Sequence, residues 1–338
     1  MWRDRLDLAE LLATGGILVA AAVACGVGTG ALIPLLRRRD VLDRPNERSS
    51  HAVPTPRGGG IAVIGTVLAA WSGLAALGLV DTAVIPVCVA AALLGVVCWI
   101  DDLHGLSPAT RMAAQAAAVA IGLFALPAAP NDLREWLGPT ADDVVLGFIW
   151  LGWVNGFNFM DGIDGIAASE AAAIGGGLLL LAAIGSSTDA TVAMLAAAIL
   201  GAALGFLWWN WSPARIFLGD VGSVPLGYLT GFLLIGLAQA GRWKVALILP
   251  LYFLADTTIT LGRRLLRGER VWQPHRQHFY QQAVRRGRRH AAVVHRVIIA
   301  DLLLVACGWA AENGAGILAL AAAVIIVAVL LGVLAQGR

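Results

Sequence analysis

Asn155, Asn158 and Asp161 recur at every third position in NGFNFMDGIDG, the segment that spans residues 155–165. On a helix, this spacing places the three side chains on one face. The segment directly follows the apolar run VVLGFIWLGWV, so the polar groups stand at the end of a hydrophobic helix. Polar side chains at membrane depth are costly unless they face a wet cavity or one another. The pattern therefore predicts part of a polar site, with interhelical hydrogen bonding as the alternative.

Two further segments place carboxylates at the edges of hydrophobic runs. Asp101 and Asp102 follow an apolar run that ends in CWI, and Arg111 comes nine residues after Asp102. Asp220 lies in the turn GDVGS before another hydrophobic run. Carboxylate and amide oxygens are hard ligands, so these residues favour Mg²⁺ or Mn²⁺ over Zn²⁺, with a phosphate group beside Arg111. A solvated helix end for the Asp pair and an N-cap role for Asp220 are the structural alternatives.

The basic segment QPHRQHFYQ, residues 273–281, contains His275, Arg276 and His278. A guanidinium fork and two imidazoles suit phosphate oxygens, so this segment predicts an anion-binding loop. The four arginines that follow are more typical of membrane topology and of contact with anionic lipid headgroups. They are Arg285, Arg286, Arg288 and Arg289.

A second candidate for anion binding is PTPRGGG, residues 54–60, which contains Arg57. Consecutive glycines let successive backbone N–H groups form a concave nest for an anion. A plain tight turn into the second helix is an equally good interpretation of the same residues.

These polar segments interrupt a strongly hydrophobic chain. Of its 338 residues, 59% are hydrophobic and 14% are charged, whereas soluble domains carry about 25% charged residues. Long uncharged runs predict an all-α polytopic membrane protein that forms a single membrane domain over residues 1–338. The four cysteines lie in apolar runs and are predicted to be small buried hydrophobes, without a disulfide or a metal site. About eleven transmembrane helices are expected, near residues 11–36, 58–80, 82–100, 112–129, 144–160, 166–185, 189–209, 222–239, 245–266, 293–311 and 315–335.

The distribution of charge predicts which side of the membrane each loop faces. Most of the 24 Lys and Arg residues fall in loops on one side of an eleven-helix arrangement. By the positive-inside rule, this side is cytoplasmic and the N-terminus faces outside. All the polar segments described above lie on the cytoplasmic side, as expected for an active site or for a transport gate.

Five segments, in this order, resemble the motifs of one enzyme family: DRPNERSSHAVPTPRGGG, DDLHGLSPATRMAAQ, NGFNFMDGIDGIA, FLGDVGS and PHRQH. The family is that of the polyprenyl-phosphate N-acetylhexosamine-1-phosphate transferases, in glycosyltransferase family 4. The resemblance implies that a UDP-N-acetyl sugar from the cytoplasm meets undecaprenyl phosphate, or another polyprenyl phosphate, in the membrane. The lipid phosphate then attacks the sugar-bound phosphate, UMP leaves, and a polyprenyl-diphospho-sugar remains.

The resemblance also implies catalytic roles for individual residues. Asp220 is the expected main ligand of Mg²⁺, or of Mn²⁺ in its place, with Asn158 beside the metal. Asp101 and Asp102 correspond to the family's acidic pair, in which Asp101 takes the proton of the lipid phosphate. Asp161 is expected near the uridine and the metal.

Substrate contacts are expected from several loops. The resemblance places Arg111 on the diphosphate, and Arg276 and His278 on a phosphate or on the sugar. Asp256 matches an intramembrane acid of the family, and Pro250 should kink the same helix and open a groove for the prenyl chain. The other predicted substrate-binding residues are Asn155, Arg57 and His275.

The last loop departs from the His-x-His-His pattern of many bacterial members, because here it reads HRQHFYQ. A branch that starts O-antigen or capsule chains has this form, so the expected sugar is GlcNAc or a 6-deoxy sugar such as FucNAc or QuiNAc. The expected setting is the bacterial inner (cytoplasmic) membrane, in synthesis of lipopolysaccharide or another surface glycan. Membrane lipids are the other expected partners. Nucleic acid is not expected as a partner, and a homodimer is left open. The alternatives are a phospho-MurNAc-pentapeptide transferase and a secondary transporter, although the chain lacks the internal repeat common in transporters.

Overall fold

A computed structural model of the chain describes residues 8–45, 53–127, 132–184, 190–270, 273 and 275–336. Within these ranges the regular structure is helical except for two short strands, β1 (Leu42–Asp43) and β2 (Thr55–Pro56), which pair antiparallel. The all-α prediction therefore omitted this one strand pair. Pro274, which precedes the last polar loop, lies outside the described residues.

Fourteen α-helices are described, and kinks at Gly241 and at Asn313–Gly314 separate two consecutive pairs of them. The helices are α1 (Leu8–Arg38), α2 (Gly60–Ala76), α3 (Val84–His104), α4 (Pro108–Ala125), α5 (Asp132–Leu137), α6 (Pro139–Met160), α7 (Ile166–Ile184), α8 (Ala190–Asn210), α9 (Asp220–Leu237), α10 (Trp243–Ile248), α11 (Leu251–Leu266), α12 (Phe279–Arg285), α13 (His290–Ala310) and α14 (Gly316–Ala335).

The helices confirm a multi-pass membrane protein. Six helical segments in the described part of the chain are long and apolar enough to cross a bilayer, since a span needs about 20 apolar residues. They are Leu8–Arg38, Val84–His104, Ile166–Ala183, Ala190–Asn210, Asp220–Ile248 and His290–Ala335. Each predicted helical range overlaps at least one helix. The range 245–266 is divided between α10 and α11, as expected from Pro250, which lies between them. The four cysteines are free and buried, as predicted.

Small residues allow the helices to pack in direct backbone contact. Helix α8 lies against α1 at two glycines, Gly201 and Gly205. A Cβ atom added at Gly205 would lie 2.2 Å from the carbonyl oxygen of Ala22. Lipid-facing apolar surface does not drive helices together in a bilayer, so close van der Waals packing at small residues must do so. The Ala- and Gly-rich composition thus sets the helix spacing.

A second glycine contact positions the polar end of the bundle. Gly60, at the start of α2, meets Gly222 in the first turn of α9, and a Cβ at Gly60 would lie 2.1 Å from the Gly222 Cα. The contact brings the segment before α2 beside the N-terminus of α9. Close backbone packing therefore helps to join two polar segments that are far apart in the sequence.

Gly60→Ala should destabilise the protein, because backbone atoms at Gly222 cannot move aside as a flexible side chain would. Overpacking of this kind costs about 1–3 kcal/mol, and more where backbone must shift. Gly65→Ala is the matched control in the same helix, since an added Cβ there meets nothing within 4 Å. Thermal unfolding in detergent would measure both variants, and equal melting temperatures would contradict the proposed tight contact.

Candidate active site

The glycine-rich segment before α2 uses its backbone donors within the fold. The N–H groups of Gly58 and Gly59 donate to the Phe217 carbonyl, at 3.1 and 2.9 Å, and that of Gly60 donates to the Leu218 carbonyl at 2.9 Å. These donors cannot also cradle an anion. Of the two interpretations of PTPRGGG, the tight turn into the second helix is the one that the structure supports.

Four aspartates from three separate segments meet at this end of the bundle, where two arginines join three of them. Asp101, Asp102, Asp161 and Asp220 are called the acid cluster below. The Arg57 Nη2 atom lies 2.7 Å from Asp102 Oδ1 and 3.0 Å from Asp220 Oδ1. Arg111 Nη1 lies 3.0 Å from Asp101 Oδ2 and 4.0 Å from Asp220 Oδ2. Asp220 is thus the shared centre of an alternating chain of carboxylates and guanidinium groups.

Backbone geometry at the start of α9 fixes Asp220 in this position. Gly219 has a φ of 74°, which favours glycine, and a Cβ there would lie 3.1 Å from Asp102 Oδ2. The Val221 N–H donates to the same Asp102 oxygen at 3.4 Å. Asp220 is the first residue of α9, where the helix dipole stabilises a negative charge. The N-cap residue of α9 is Gly219, with no side-chain cap, so Asp220 does not have the N-cap role that was the structural alternative.

Asp161 closes the cluster from the end of α6. Burial, and then the negative charge of Asp220, raise the pKa of Asp161 to about 7, while Arg57 opposes the shift. The cluster holds four carboxyl groups and only two guanidinium groups, so repulsion from Asp220 and Asp102 adds to the effect of burial on this pKa. A bound cation would relieve this crowding.

The donor set of the cluster fits Mg²⁺. Among the described residues, no three His, Cys, Asp or Glu side chains form a preassembled metal cage. Mg²⁺ does not require one, since it is commonly held by one or two carboxylates together with waters and substrate phosphates. Asp220 and Asp102 are suitable carboxylates, because one cationic group, the guanidinium of Arg57, already contacts both of them and they are therefore close enough to share a cation. Asn158 lies next to them, where its Oδ1 accepts a hydrogen bond of 2.5 Å from Ser223 in the first turns of α9.

Asn155 is separated from this cluster, although it shares a helix with Asn158. Its side-chain nitrogen donates to Gln115 Oε1 on α4 at 2.7 Å and to the Leu151 carbonyl at 2.8 Å. Asn155 therefore forms the interhelical hydrogen bond that the sequence left as the alternative. A substrate contact from its amide nitrogen does not agree with this geometry.

Asp256 also differs from the expected substrate contact, because its side chain is fully buried. Its carboxylate accepts from His278 Nδ1 at 3.0 Å, from the Phe279 N–H at 3.1 Å and from the Tyr280 N–H at 3.4 Å. Thr260, one turn along α11, donates to the same group at 3.1 Å. Asp256 is therefore a positioning residue that anchors the N-terminus of α12 to α11.

Helix α12 contacts the end of α6, next to Asp161, and the residues just after α12 contact the last helix. Tyr280 donates to the Phe159 carbonyl at 3.0 Å, two residues before Asp161. Just after α12, Arg286 Nη1 donates to the Ala335 carbonyl of α14 at 2.6 Å, and Arg288 Nη2 donates to the Val333 carbonyl at 3.0 Å. Helix α12 thus connects the end of α6 to the end of α14.

The other residues of the last loop turn away from the acid cluster. Burial, and then the nearby His278, lower the pKa of His275 to about 4, so its imidazole is neutral at pH 7. The Nη2 atom of Arg276 is buried without a hydrogen-bond partner in the described part of the chain. Arg276 lines a cavity of about 650 Å³, called the arginine basin below. The basin is lined by Thr260, Arg263, Arg267, Arg276, Gln277, Gln282, Arg285 and Arg286.

Two further polar groups support the site. Asn210, at the end of α8, accepts from the Gly165 N–H and donates to the Ile216 carbonyl, both at 2.9 Å. Asp164 accepts from the Ala214 N–H at 3.2 Å and pairs with His290 Nδ1 at 3.2 Å. Asn210 ends an apolar helix just as Asn158 does, so the same sequence signal was available.

An apolar cavity of about 800 Å³ lies among α6, α9, α10 and α11. Its wall includes Leu146, Trp153 and Leu234, and Pro250 lines it where α10 gives way to α11. The interruption of the helix at Pro250 therefore coincides with an apolar space, as the predicted kink required.

Comparison with known proteins shows extensive similarity to enzymes that act at membranes. Residues 84–238 match the family model described as glycosyl transferase family 4. The chain is 31% identical to the phospho-N-acetylmuramoyl-pentapeptide-transferase of Streptomyces avermitilis, over 85% of the chain and 95% of that protein. It is 29% identical to a probable undecaprenyl-phosphate N-acetylglucosaminyl 1-phosphate transferase of Bacillus subtilis, over 77% and 75%. It is also 29% identical to the decaprenyl-phosphate N-acetylglucosaminephosphotransferase of Mycobacterium leprae, over 86% and 80%.

Proposed function

The chain belongs to glycosyl transferase family 4, and we propose that it transfers an N-acetylhexosamine 1-phosphate from a UDP-sugar to a polyprenyl phosphate, with release of UMP. The observation that carries this proposal is the chain of carboxylates and guanidinium groups centred on Asp220, at one end of an apolar helix bundle. The acceptor is undecaprenyl phosphate or a similar lipid. The whole chain acts as one membrane domain.

Each charged residue of the site has a task in this reaction. Asp220 and Asp102 would hold Mg²⁺, with Asn158 beside them, and the metal would supply charge neutralisation to the diphosphate. Arg57 and Arg111 would exchange part of their contact with the carboxylates for contact with phosphate oxygens. Phosphoryl transfer depends chiefly on positioning and on stabilisation of developing charge, which fixed guanidinium groups provide.

The acceptor needs space for a long hydrocarbon chain beside a charged site. The apolar cavity at Pro250 lies among helices of the bundle and is lined largely by apolar side chains. We assign the far part of the prenyl chain to this cavity, which α6 and α9 line away from the ends that carry Asp161 and Asp220, with the phosphate at the acid cluster. The Asp101 carboxylate, 3.0 Å from Arg111, is then the group placed to take a proton from the lipid phosphate.

The acid cluster is proposed to face the cytoplasm, with eleven spans and an outside N-terminus, in the inner membrane of a bacterium. Single cysteines introduced at Val53 and Arg289 should react with a membrane-impermeant reagent only in permeabilised cells, where the reagent reaches the cytoplasmic face. A cysteine at Leu77, which is 75% exposed, should react from outside in intact cells. The native cysteines are buried and add little background. Outside labelling at position 289 would contradict the proposed orientation.

The donor sugar is proposed to be GlcNAc, or a 6-deoxy N-acetyl sugar such as FucNAc or QuiNAc, for a lipopolysaccharide O-antigen or another surface glycan. The runner-up is transfer of phospho-MurNAc-pentapeptide, which similarity to the Streptomyces avermitilis enzyme favours. Purified protein should be incubated with undecaprenyl phosphate, Mg²⁺ and each UDP-sugar in turn. UMP and the lipid-linked product would both be measured. Turnover of UDP-MurNAc-pentapeptide alone would select the runner-up, and no UMP from any donor would contradict the transferase proposal.

A further inference from the structure

The arginine basin is a concentration of positive charge that the proposed reaction does not use. Five guanidinium groups line about 650 Å³, and none of the described residues that line it is acidic. Glu269, the nearby carboxylate, is instead paired with Arg264 at 2.8 Å. Like charges that line one cavity repel one another, so a bound anion would stabilise the basin.

The basin lies on a different side of α12 from the acid cluster. Tyr280 of α12 contacts the Phe159 carbonyl, next to the cluster loop. Gln282, Arg285 and Arg286 line the basin, and helical periodicity places all three well away from the direction of Tyr280. No residue of the acid cluster lines the basin. A ligand in the basin would therefore be separate from the reacting groups.

Within the described part of the chain, one arginine of the basin has an unsatisfied hydrogen-bond donor. The Nη2 atom of Arg276 is buried and has no hydrogen-bond partner among the described residues. A buried guanidinium N–H without an acceptor is costly, so native structures normally supply a partner for it. Arg263, by contrast, already stacks over the Phe279 ring, with its Cζ atom 4.9 Å from the ring centroid. Arg276 thus lines the basin with a guanidinium group that still lacks one hydrogen-bond partner among the described residues.

The surroundings of the basin favour a ligand that belongs to the bilayer. Leu265 and Leu266 are 67% and 90% exposed, and they lie between two basin arginines, Arg263 and Arg267, on α11. Exposed leucines beside arginines at the end of a membrane helix are typical of the boundary between acyl chains and headgroups. A lipid could place its phosphate in the basin while its chains cover the two leucines.

We propose that the arginine basin binds the phosphate group of an anionic bilayer phospholipid, at a site separate from the acid cluster. The phosphate oxygens would accept from Arg276 and from the arginines of α11 and α12. Bound lipid would hold these two helices together, because the basin is built from both. The ligand chemistry is a phosphate ester, and the experiment must distinguish a phospholipid from the acceptor lipid and from free phosphate.

The full-length protein in neutral detergent should be titrated with phosphatidylglycerol and with phosphatidylcholine, and bound lipid counted by native mass spectrometry. We expect a preference of at least about tenfold for phosphatidylglycerol, the typical contribution of one charge-assisted contact. The double variant Arg267→Gln, Arg285→Gln should lose that preference. The control Arg270→Gln, Arg289→Gln removes the same charge from exposed arginines that do not line the basin, and it should keep the preference.

Several results would overturn the proposal. An equal loss in both double variants would mean general attraction of anionic lipid to a basic surface. Displacement of phosphatidylglycerol by an equal amount of undecaprenyl phosphate would assign the basin to the acceptor. Binding of inorganic phosphate, with no preference between the two phospholipids, would assign it to a soluble anion. If the double variant does not fold, a photoreactive residue at the exposed Leu266 should crosslink phosphatidylglycerol in otherwise unaltered protein, and failure to crosslink would count against the site.

Discussion

Asp220→Asn should lower the rate of sugar-phosphate transfer by about 10²–10³-fold or more while leaving the protein folded in the membrane. Removing a single group that stabilises developing charge typically has an effect of this size. Asp220 is the only carboxylate within 4.0 Å of both cluster arginines in the ion pairs described above, so its charge holds the network together. An amide has nearly the same shape but cannot neutralise two guanidinium groups or serve as an anionic ligand. Steady-state release of UMP would measure the change.

The control for this prediction is Asp40→Asn. Asp40 also pairs with an arginine near the end of a helix, but both partners are 68% exposed, so this pair should contribute little. A chelator should stop transfer by the wild-type protein, and added Mg²⁺ or Mn²⁺ should restore it. Full transfer by the Asp220 variant, or by the wild type in chelator, would contradict the proposed metal site.

Asp256→Asn should disturb α12 without unfolding the bundle. The change leaves His278 and two backbone N–H groups without their anionic acceptor. A hydrogen bond to a charged group contributes about 1.5–3 kcal/mol, and the variant loses the charge on the acceptor of several such bonds. Helix α12 should then detach more often, and the support that Tyr280 gives to the end of α6 is lost. We expect transfer to fall about a hundredfold, as a weakening of about 3 kcal/mol in the supporting contacts would cause.

Amide hydrogen exchange separates this positioning role from general destabilisation. In Asp256→Asn, exchange should accelerate in α12 and at the end of α6, while α1 and α8 stay protected. Asp301→Asn is the matched control. Its carboxyl group is also buried in a helix, but it has no hydrogen-bond partner among the described residues. Uniformly faster exchange in the Asp256 variant, or equal effects in both variants, would mean that Asp256 does not act through α12.

The sequence predicted the members of the acid cluster better than the way they are joined. Asp101, Asp102, Asp161 and Asp220 stand in short motifs at the ends of hydrophobic runs, and hydrophobicity alone places such ends at a membrane surface. The bridging position of Arg57 was not visible, because it depends on backbone contact between Gly60 and Gly222. A contact between two glycines that are far apart in the sequence leaves no periodic pattern in either segment.

Partner identity explains the two residues whose roles differed from expectation. Asn155 and Asn158 belong to the same three-residue pattern, but Asn155 contacts Gln115 on α4 rather than the start of α9. Asp256 lies in a helix whose sequence gives no sign that His278, from a later loop, will meet it. Spacing predicts which face of a helix a side chain occupies; the packing of other helices decides what that face meets.

The bonds from Arg286 and Arg288 to the last turns of α14 have a consequence for biogenesis. Helices emerge from the ribosome in order, and α14 is the last of those described. The segment that follows α12 cannot be fastened until α14 has been inserted, since its acceptors are the carbonyls of Ala335 and Val333. The acid cluster is complete in sequence by α9, and α12 can already contact α11 and α6 once it has been made. A nascent chain released before α14 would therefore keep these contacts but lack the two arginine bonds that fasten the end of α12 to the last helix.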